Sequence, residues 1–288
     1  MKPPARKWRS YIELTRLNRP IGIYLLLWPT LWALWIAAEG WPGWHLFLVF
    51  TFGTILTRSA GCIVNDILDR KFDGKVKRTK NRVLASGKVG SLEAGILAIG
   101  LTLLALLLVL TTNVLTIALA SVAAVVAIIY PFMKRYTYLP QVILGIAFSM
   151  GIPMAFSATT GGIVNVVSLL LIANLLWVVA YDTQYAMVDR DDDLLLGLKS
   201  TAILFDDLDR HMIGLLQLGF FVVMILTGHK LELSIWFFLS LAATFILFIY
   251  QHYLTWGRSR GGCFKAFLNN HWVGLTVFSG IALHYHLT

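Results

Sequence analysis

The sequence predicts an all-α protein that crosses a membrane several times. Of its 288 residues, 58% are hydrophobic and only 14% are charged, whereas soluble domains carry about 25% charged and 45–50% apolar residues. A globular domain of this length could not hide so much apolar chain from water in its core. The surplus apolar residues therefore need lipid as their solvent.

Long apolar stretches define the individual spans. A helix needs about 20 apolar residues to cross the hydrocarbon core, and turn-forming residues, as at 39–43, 111–113 and 160–162, separate the candidates. We predict one domain over residues 1–288 with nine transmembrane helices, near 21–38, 45–64, 92–110, 114–132, 140–157, 163–186, 211–228, 233–254 and 270–286.

The basic residues predict the orientation of these spans. All 24 lysines and arginines except Lys230 fall on the side that holds the N-terminus, which the positive-inside rule makes cytoplasmic. The formal net charge of +9 is therefore interpreted as a topology signal and as counter-charge for an anionic substrate, not as a nucleic-acid surface. No signal or transit peptide is recognisable, so a bacterial inner membrane is expected. Cys62 and Cys263 are expected to be structural.

Two groups of aspartates lie at predicted cytoplasmic helix ends. The first group, with spacing i, i+3, i+7, is Asp66, Asp69 and Asp73; the second, with spacing i, i+7, i+11, is Asp182, Asp189 and Asp193. Each spacing places three carboxylates on one helix face. Like charges this close repel one another unless a cation lies among them. Carboxylate and amide oxygens favour a hard cation such as Mg²⁺. The predicted metal ligands are Asn65, Asp66, Asp69, Asp73, Asp182, Asp189 and Asp193.

Basic side chains surround these acids and would suit a polyanionic group bound through the metal. The residues predicted to bind this polyanionic group are Arg70, Lys71, Lys77, Arg78, Lys134 and Lys199. Alternatively, each lysine in the loop between predicted helices 2 and 3 serves only to orient the protein in the membrane. Further aspartates fall off the common faces and are expected to be solvated residues that balance nearby lysines: Asp191, Asp192, Asp206, Asp207 and Asp209.

Two further arginines are candidate functional residues. Arg58 lies inside an apolar span, two turns before Asp66, and is expected to face a cavity, because a charge facing lipid is costly. Arg135 could meet an anionic co-substrate or lipid headgroups. Neither arginine identifies the chemistry of the group that it would bind.

Several motifs resemble those of the UbiA-type membrane prenyltransferases, in the branch that acts on 4-hydroxybenzoate. Residues 65–73 match the NDxxDxxxD pattern of the family, and residues 189–193 match its DxxxD pattern; the stretches 27–32, 58–62, 130–136, 181–193 and 197–201 are also similar. The similarity extends over nearly the whole chain. Val83 and Ala85 stand where prolines are expected, which affects only the local loop shape.

The resemblance implies nine helices around a central cavity that opens laterally to lipid, with a cytoplasmic mouth at the aspartates. It implies Mg²⁺-dependent transfer of a polyprenyl group from polyprenyl diphosphate to the ring of 4-hydroxybenzoate in ubiquinone biosynthesis. The lipid bilayer is then the surrounding partner, no nucleic acid is bound, and no protein partner is specified. The implied catalytic residues are Asp69, Asp73, Asp189, Asp193, Tyr130 and Lys134, with Arg58 or Arg135 pairing with the benzoate carboxylate. The similar placement of the two acidic groups is also compatible with an internal repeat, in which predicted helices 1–4 correspond to predicted helices 5–8.

Three other functions stay open at this stage. The first is a prenyltransferase with another acceptor. The second is a divalent-cation transporter, although transporter sites lie near the bilayer midplane on broken helices, whereas these acids are expected at one end of the bundle. The third is a phosphotransferase acting on nucleotide-linked lipids, for which the expected DGxxAR-type motif is absent from the sequence.

Overall fold

A computed structural model of the chain describes residues 4–70 and 82–288, with side chains from residue 7 onward. Within these residues the all-α class is confirmed, and no strand is present. The helices are α1 (Pro4–Leu14), α2 (Ile21–Ala37), α3 (Gly43–Leu68), α4 (Ser91–Val109), α5 (Val114–Tyr136), α6 (Pro140–Ser149), α7 (Gly151–Thr160), α8 (Val166–Leu196), α9 (Thr201–Phe205), α10 (Asp209–Lys230), α11 (Ile235–Leu254) and α12 (Arg260–Leu287), with a 3₁₀ turn at Asp206–Leu208.

Each of the nine predicted spans overlaps helix in the described part of the chain. By length and composition, seven helical segments there can cross a membrane, counting α6 with α7 and α9 with α10. The helix α2 is apolar but only 17 residues long, and α12 has 28 residues but is not among the seven. The protein is therefore a multi-pass membrane protein, while length and composition alone do not establish nine spans.

The fifth predicted span is two helices, not one. Proline lacks an N–H and its ring clashes with the carbonyl four residues earlier. Pro153 therefore disrupts the helical ladder at Ser149, and the helix breaks at Met150, between α6 and α7. Ser149 Oγ accepts a hydrogen bond of 2.8 Å from Asn174 Nδ2, so a polar contact with α8 accompanies the break.

The helix α8 is the central element of the bundle. In its apolar window 61% of residues are buried, against 6% for α5, whose side chains mostly face outward. It packs against α6, α10 and α12. Trp177 of α8 stacks on Trp32 of α2 with ring centroids 5.3 Å apart, in the main apolar core.

A chain of buried amides fixes α8 against α10, α11 and α12. Gln184 Nε2 donates to Gln251 Oε1 at 3.0 Å, and Gln217 Nε2 donates to the same oxygen at 2.9 Å. Asn270 Nδ2 donates to Gln184 Oε1, and Trp177 Nε1 donates to Asn270 Oδ1, both at 2.9 Å. Because Gln184 follows Asp182 by two residues, it projects from the opposite face of α8. The amide network therefore fixes the rotation of α8 about its own axis, so that Asp182 faces away from α10, α11 and α12.

The amphipathic helix α1 was not predicted from the sequence. Tyr11 of α1 donates a hydrogen bond to Glu93 at the start of α4, and Lys7 Nζ lies 2.9 Å from the same carboxylate. Trp8 is 66% exposed on the outer face of α1. The N-terminal segment is therefore attached to the end of the bundle that carries the aspartates.

Candidate active site

The two acidic groups meet at one end of the bundle, around a lysine from a third helix. Lys134, near the end of α5, interacts electrostatically with Asp69, which caps α3, and with Asp182 and Asp193 of α8. Asp182 in turn interacts with Lys134, with Arg58 and with Asp189. The positive charge that two converging acidic faces require is thus supplied in part by the protein itself.

A tight turn after α8 links the second aspartate group to the helix that carries Lys134. The helix ends at Gly197, whose φ of 67° is left-handed, a conformation that favours glycine. The N–H of Leu198 then donates to the carbonyl oxygen of Asp193 at 2.9 Å. The Lys199 side chain reaches the end of α5, where Nζ donates to the Tyr136 carbonyl at 3.2 Å and lies 5.2 Å from the Tyr138 ring centroid.

The polar side chains of the two motif segments are suited to share a metal with a substrate. Asn65, Asp69, Asp189 and Asp193 are partly accessible, and their oxygens are hard donors of the kind Mg²⁺ prefers. In residues 4–70 and 82–288, no three His, Cys, Asp or Glu side chains are close enough to hold an ion by themselves. This donor set fits Mg²⁺ held by a few carboxylates and completed by phosphate oxygens.

Asp66 lies in a different environment from Asp69, Asp189 and Asp193, the partly accessible aspartates among the predicted metal ligands. Its side chain is only 2% exposed, and both of its oxygens lie 2.8 Å from Nη2 of Arg16. Nη1 of Arg82 lies 3.1 Å from Oδ1 of the same carboxylate. Two guanidinium groups therefore already balance the charge of Asp66.

Arg58 is a cation enclosed by aromatic side chains at the inner part of the site. Its guanidinium carbon lies 5.5 Å from the centroid of the Phe148 ring, and its Nε is buried without a hydrogen-bond partner in the described structure. Tyr130 and Tyr181 lie near it. A Cβ at Gly22 would lie 2.5 Å from Nε, so the glycine of α2 makes room for this guanidinium.

The remaining predicted binding residues are placed differently. Arg70 is exposed, and its Nη1 donates to Ser91 Oγ of α4 at 2.8 Å. Arg135 is exposed at the end of α5. Four predicted site residues lie outside the described part of the chain: Lys71, Asp73, Lys77 and Arg78.

The aspartates expected to balance lysines in solvent pair instead with arginines. Asp209 is fully buried and lies 2.9 Å from Nη2 of Arg258, and this hydrogen-bonded pair raises the pKa of the Arg258 guanidinium. Arg260 binds both Asp191 at 3.1 Å and Asp192 at 3.0 Å. The expectation of a solvated residue was wrong for Asp209, which is buried, and for Asp192, whose side chain is 13% exposed. Asp191 is solvated as expected, with its side chain 78% exposed, but it pairs with an arginine and not with a lysine. The arginines that begin α12 or precede it fold back onto α8 and α10.

A further pair lies within the second motif region. Arg190, between Asp189 and Asp191, pairs with Asp206 in the turn before α10. The sequence carries no signal for these partners, which lie from 16 to 69 residues apart. The pairs of Arg190 and Arg260 hold the C-terminal part of α8 against the turn before α10 and the start of α12.

The fold and site define an integral membrane protein with an acidic, partly accessible site at one end of a helical bundle. A model of the UbiA prenyltransferase family matches residues 26–274. A protein of Chromohalobacter salexigens, named 4-hydroxybenzoate octaprenyltransferase, is 55% identical over 274 residues, which are 95% of this chain and 92% of that protein. The chain therefore belongs to the UbiA prenyltransferase family.

Solved structures share the fold. The apo structure of a UbiA homolog from Aeropyrum pernix K1 has a TM-score of 0.81 at 22% identity, covering 90% of this chain and 97% of that one. A UbiA homolog from Archaeoglobus fulgidus, bound to GPP and Mg²⁺, has a TM-score of 0.76 at 13% identity, covering 97% of this chain and 100% of that one. These likenesses extend the family fold over almost the whole chain.

Proposed function

We propose that the protein transfers a polyprenyl group from polyprenyl diphosphate to the aromatic ring of 4-hydroxybenzoate, releasing diphosphate, as a step of ubiquinone biosynthesis. One observation carries the proposal: Lys134 interacts with aspartates from both motif helices, Asp69 on one and Asp182 and Asp193 on the other. Such a mixed acidic and basic site suits a diphosphate with its divalent metal. The name of the 55%-identical protein supports this acceptor and an octaprenyl donor.

The donor end of the reaction is assigned to the rim of the site. Asn65, Asp69, Asp189 and Asp193, with Asp73 from outside the described residues, would hold Mg²⁺ against the diphosphate. The bound metal supplies charge neutralisation on the diphosphate oxygens. Lys134 and Lys199 would add positive charge at the leaving group, where negative charge develops as the allylic C–O bond breaks. Arg70, Lys71, Lys77 and Arg78 remain proposed contributors to diphosphate binding.

The acceptor end is assigned to the inner part of the site. Arg58 would pair with the benzoate carboxylate through charge-assisted hydrogen bonds, while Arg135, exposed at the end of α5, is the weaker candidate. The aromatic side chains beside Arg58, among them Tyr130 and Phe148, would shield the allylic cation from water. The electron-rich ring carbon next to the one that carries the hydroxyl attacks the cation and forms a C–C bond. That carbon then loses its proton.

Orientation follows from the charges. The site end of the bundle carries the basic residues that mark a cytoplasmic face. We therefore propose a bacterial inner membrane location with the N-terminus and the mouth of the site in the cytoplasm. Accessibility of a single cysteine introduced at Arg9, labelled in intact cells and in inverted vesicles, tests this orientation.

Turnover by the purified protein tests the reaction itself. The protein in detergent is incubated with Mg²⁺, a polyprenyl diphosphate and labelled 4-hydroxybenzoate, and label is followed into the lipid fraction. Labelled lipid with equimolar diphosphate is the expected result. Diphosphate without labelled lipid would remove this acceptor from the proposal, and metal flux into liposomes without turnover would favour transport.

A further inference from the structure

The carboxylate of Asp66 joins three separate segments of the chain. It lies on α3, near the cytoplasmic end, and is 1% exposed. Arg16 follows α1 and contacts both carboxylate oxygens at 2.8 Å, while Arg82 precedes α4 and contacts Oδ1 at 3.1 Å. The Arg16 contact is made through one nitrogen, Nη2, placed evenly between the two oxygens.

Arg16 has a left-handed backbone conformation, which its ion pair with Asp66 helps to stabilise. Its φ of 60° is left-handed, a region that residues other than glycine and asparagine rarely adopt. The second terminal nitrogen of the same side chain, Nη1, donates to the carbonyl oxygen of Glu13 at 3.1 Å. The guanidinium therefore bridges the end of α1 to α3 and fixes the direction in which the chain leaves α1.

Apolar packing beside the ion pair involves the same three segments. Leu14 of α1, Ile63 of α3 and both Val83 and Leu84 after Arg82 are at most 1% exposed and form one cluster. A buried carboxylate with two cationic partners, flanked by a dry cluster, has the features of a structural junction. A metal ion bound to Asp66 would lie close to both guanidinium groups and be repelled by them.

We propose that Asp66 is a positioning residue and not a metal ligand, and that with Arg16 and Arg82 it holds the end of α3 so that Asp69 faces Lys134. Asp69 is the residue that caps α3, its N–H donating to the Asn65 carbonyl at 2.9 Å. Its direction therefore depends on how the last turn of α3 is anchored. The inference rests on the proposed function for its consequence in catalysis, but the junction itself can be tested without substrate.

Thermal unfolding of the metal-free protein tests the junction. The wild type, Asp66→Asn, Arg16→Asn and the double variant are compared in detergent with a chelator; asparagine tolerates the left-handed backbone at position 16. We expect each single change to lower the melting temperature by several degrees and the double variant to melt no lower than the worse single one. Arg9→Asn, which removes an exposed guanidinium from α1, is the control and should melt like the wild type. An Asp66→Asn protein that melts at or above the wild-type temperature would overturn the inference, because relief of repulsion among metal ligands predicts that result.

Kinetics test the consequence for catalysis. On amounts of folded protein matched by size-exclusion, Asp66→Asn and Arg16→Asn should both lower kcat by about 10- to 100-fold, the range typical of residues that orient metal ligands. The Mg²⁺ concentration for half-maximal rate should shift to the same extent in both variants, because both would act on the metal ligands through the same junction. The milder Arg16→Lys, which keeps the charge but not the guanidinium, should recover part of the loss. A tenfold rise in the Mg²⁺ requirement for Asp66→Asn alone would identify a metal ligand and reject the positioning role.

The two proposals can fail separately. An inactive wild type in this assay would count against the proposed function, and the melting temperatures would still decide whether the junction exists. An active wild type whose Arg16→Asn variant turns over normally would reject the inference alone.

Discussion

The main-chain N–H of Lys199 donates to the carbonyl oxygen of Lys134, with 2.9 Å between nitrogen and oxygen. This bond joins the turn that follows the second aspartate group to the end of α5. It joins the backbones of two lysines from distant parts of the sequence. The arrangement explains how α5, which is otherwise mostly turned outward, contributes a central charge.

The first prediction concerns that charge. Lys134→Gln removes the cation that interacts with aspartates of both motif helices. We expect KM for the prenyl diphosphate to rise at least about tenfold, since a charged hydrogen bond contributes about 1.5–3 kcal/mol. Lys265→Gln, at an exposed position on α12, should leave KM unchanged. Equal KM values for the wild type and Lys134→Gln would contradict a role in donor binding.

The second prediction concerns one proposed metal ligand from each aspartate group. Asp69→Asn and Asp189→Asn should each reduce kcat/KM by about 10²–10³, because a ligand of the Mg²⁺ that neutralises the diphosphate is lost. Membrane insertion, measured by fluorescence-detected gel filtration of a tagged protein, should be normal. Asp207→Asn, at an exposed position before α10, is the matched control. Turnover near the wild-type rate in both site variants would rule out their metal-binding role.

The third prediction uses the space that Gly22 leaves for Arg58. Arg58→Gln should raise KM for 4-hydroxybenzoate at least about tenfold with little change in KM for the donor. Gly22→Ala should act in the same direction, because its Cβ would meet Nε of Arg58 at 2.5 Å and displace the guanidinium. At Gly61 on α3 a Cβ would meet nothing within 4 Å, so Gly61→Ala should behave like the wild type. An unchanged acceptor KM in Arg58→Gln would reject the assignment of the carboxylate site.

The fourth prediction concerns the buried amides behind α8. Gln251 accepts hydrogen bonds from Gln184 and Gln217 and donates one to Asn269. Gln251→Leu should destabilise the protein by about 1–2 kcal/mol, the upper range for hydrogen bonds between membrane helices. Unfolding in a detergent series measures this change, with Ser279→Ala as control because its hydroxyl donates to the Leu275 carbonyl of its own helix. A stability equal to the wild type would show that the network does not hold α8.

Much of the fold could be predicted because its driving force is local in the sequence. Each predicted span reflects an apolar stretch, and the i, i+7 spacing was sufficient to place Asp182 and Asp189 on one face of α8. The break at Met150 was missed, although Pro153 lies inside the predicted span and its missing N–H is a recognisable signal.

The partners of the charged residues could not be predicted in the same way. Arg16 and Asp66 are 50 residues apart, and Arg260 and Asp191 are 69 residues apart. Neither spacing nor periodicity distinguishes a carboxylate that faces an arginine from one that faces a metal. Asp66 shares its helix face with Asp69, yet tertiary packing alone brings Arg16 and Arg82 to it.

The amide network also bears on how the chain enters the membrane during synthesis. The helix α12 carries Asn269 and Asn270 and is not among the seven segments apolar enough to span a bilayer alone. The partners of Asn269 and Asn270 on other helices are Trp177, Gln184 and Gln251, which are made earlier. Stable integration of the last helix therefore depends on the prior presence of α8 and α11, so a defect in those helices should release the C-terminus from the bilayer and expose it to proteolysis.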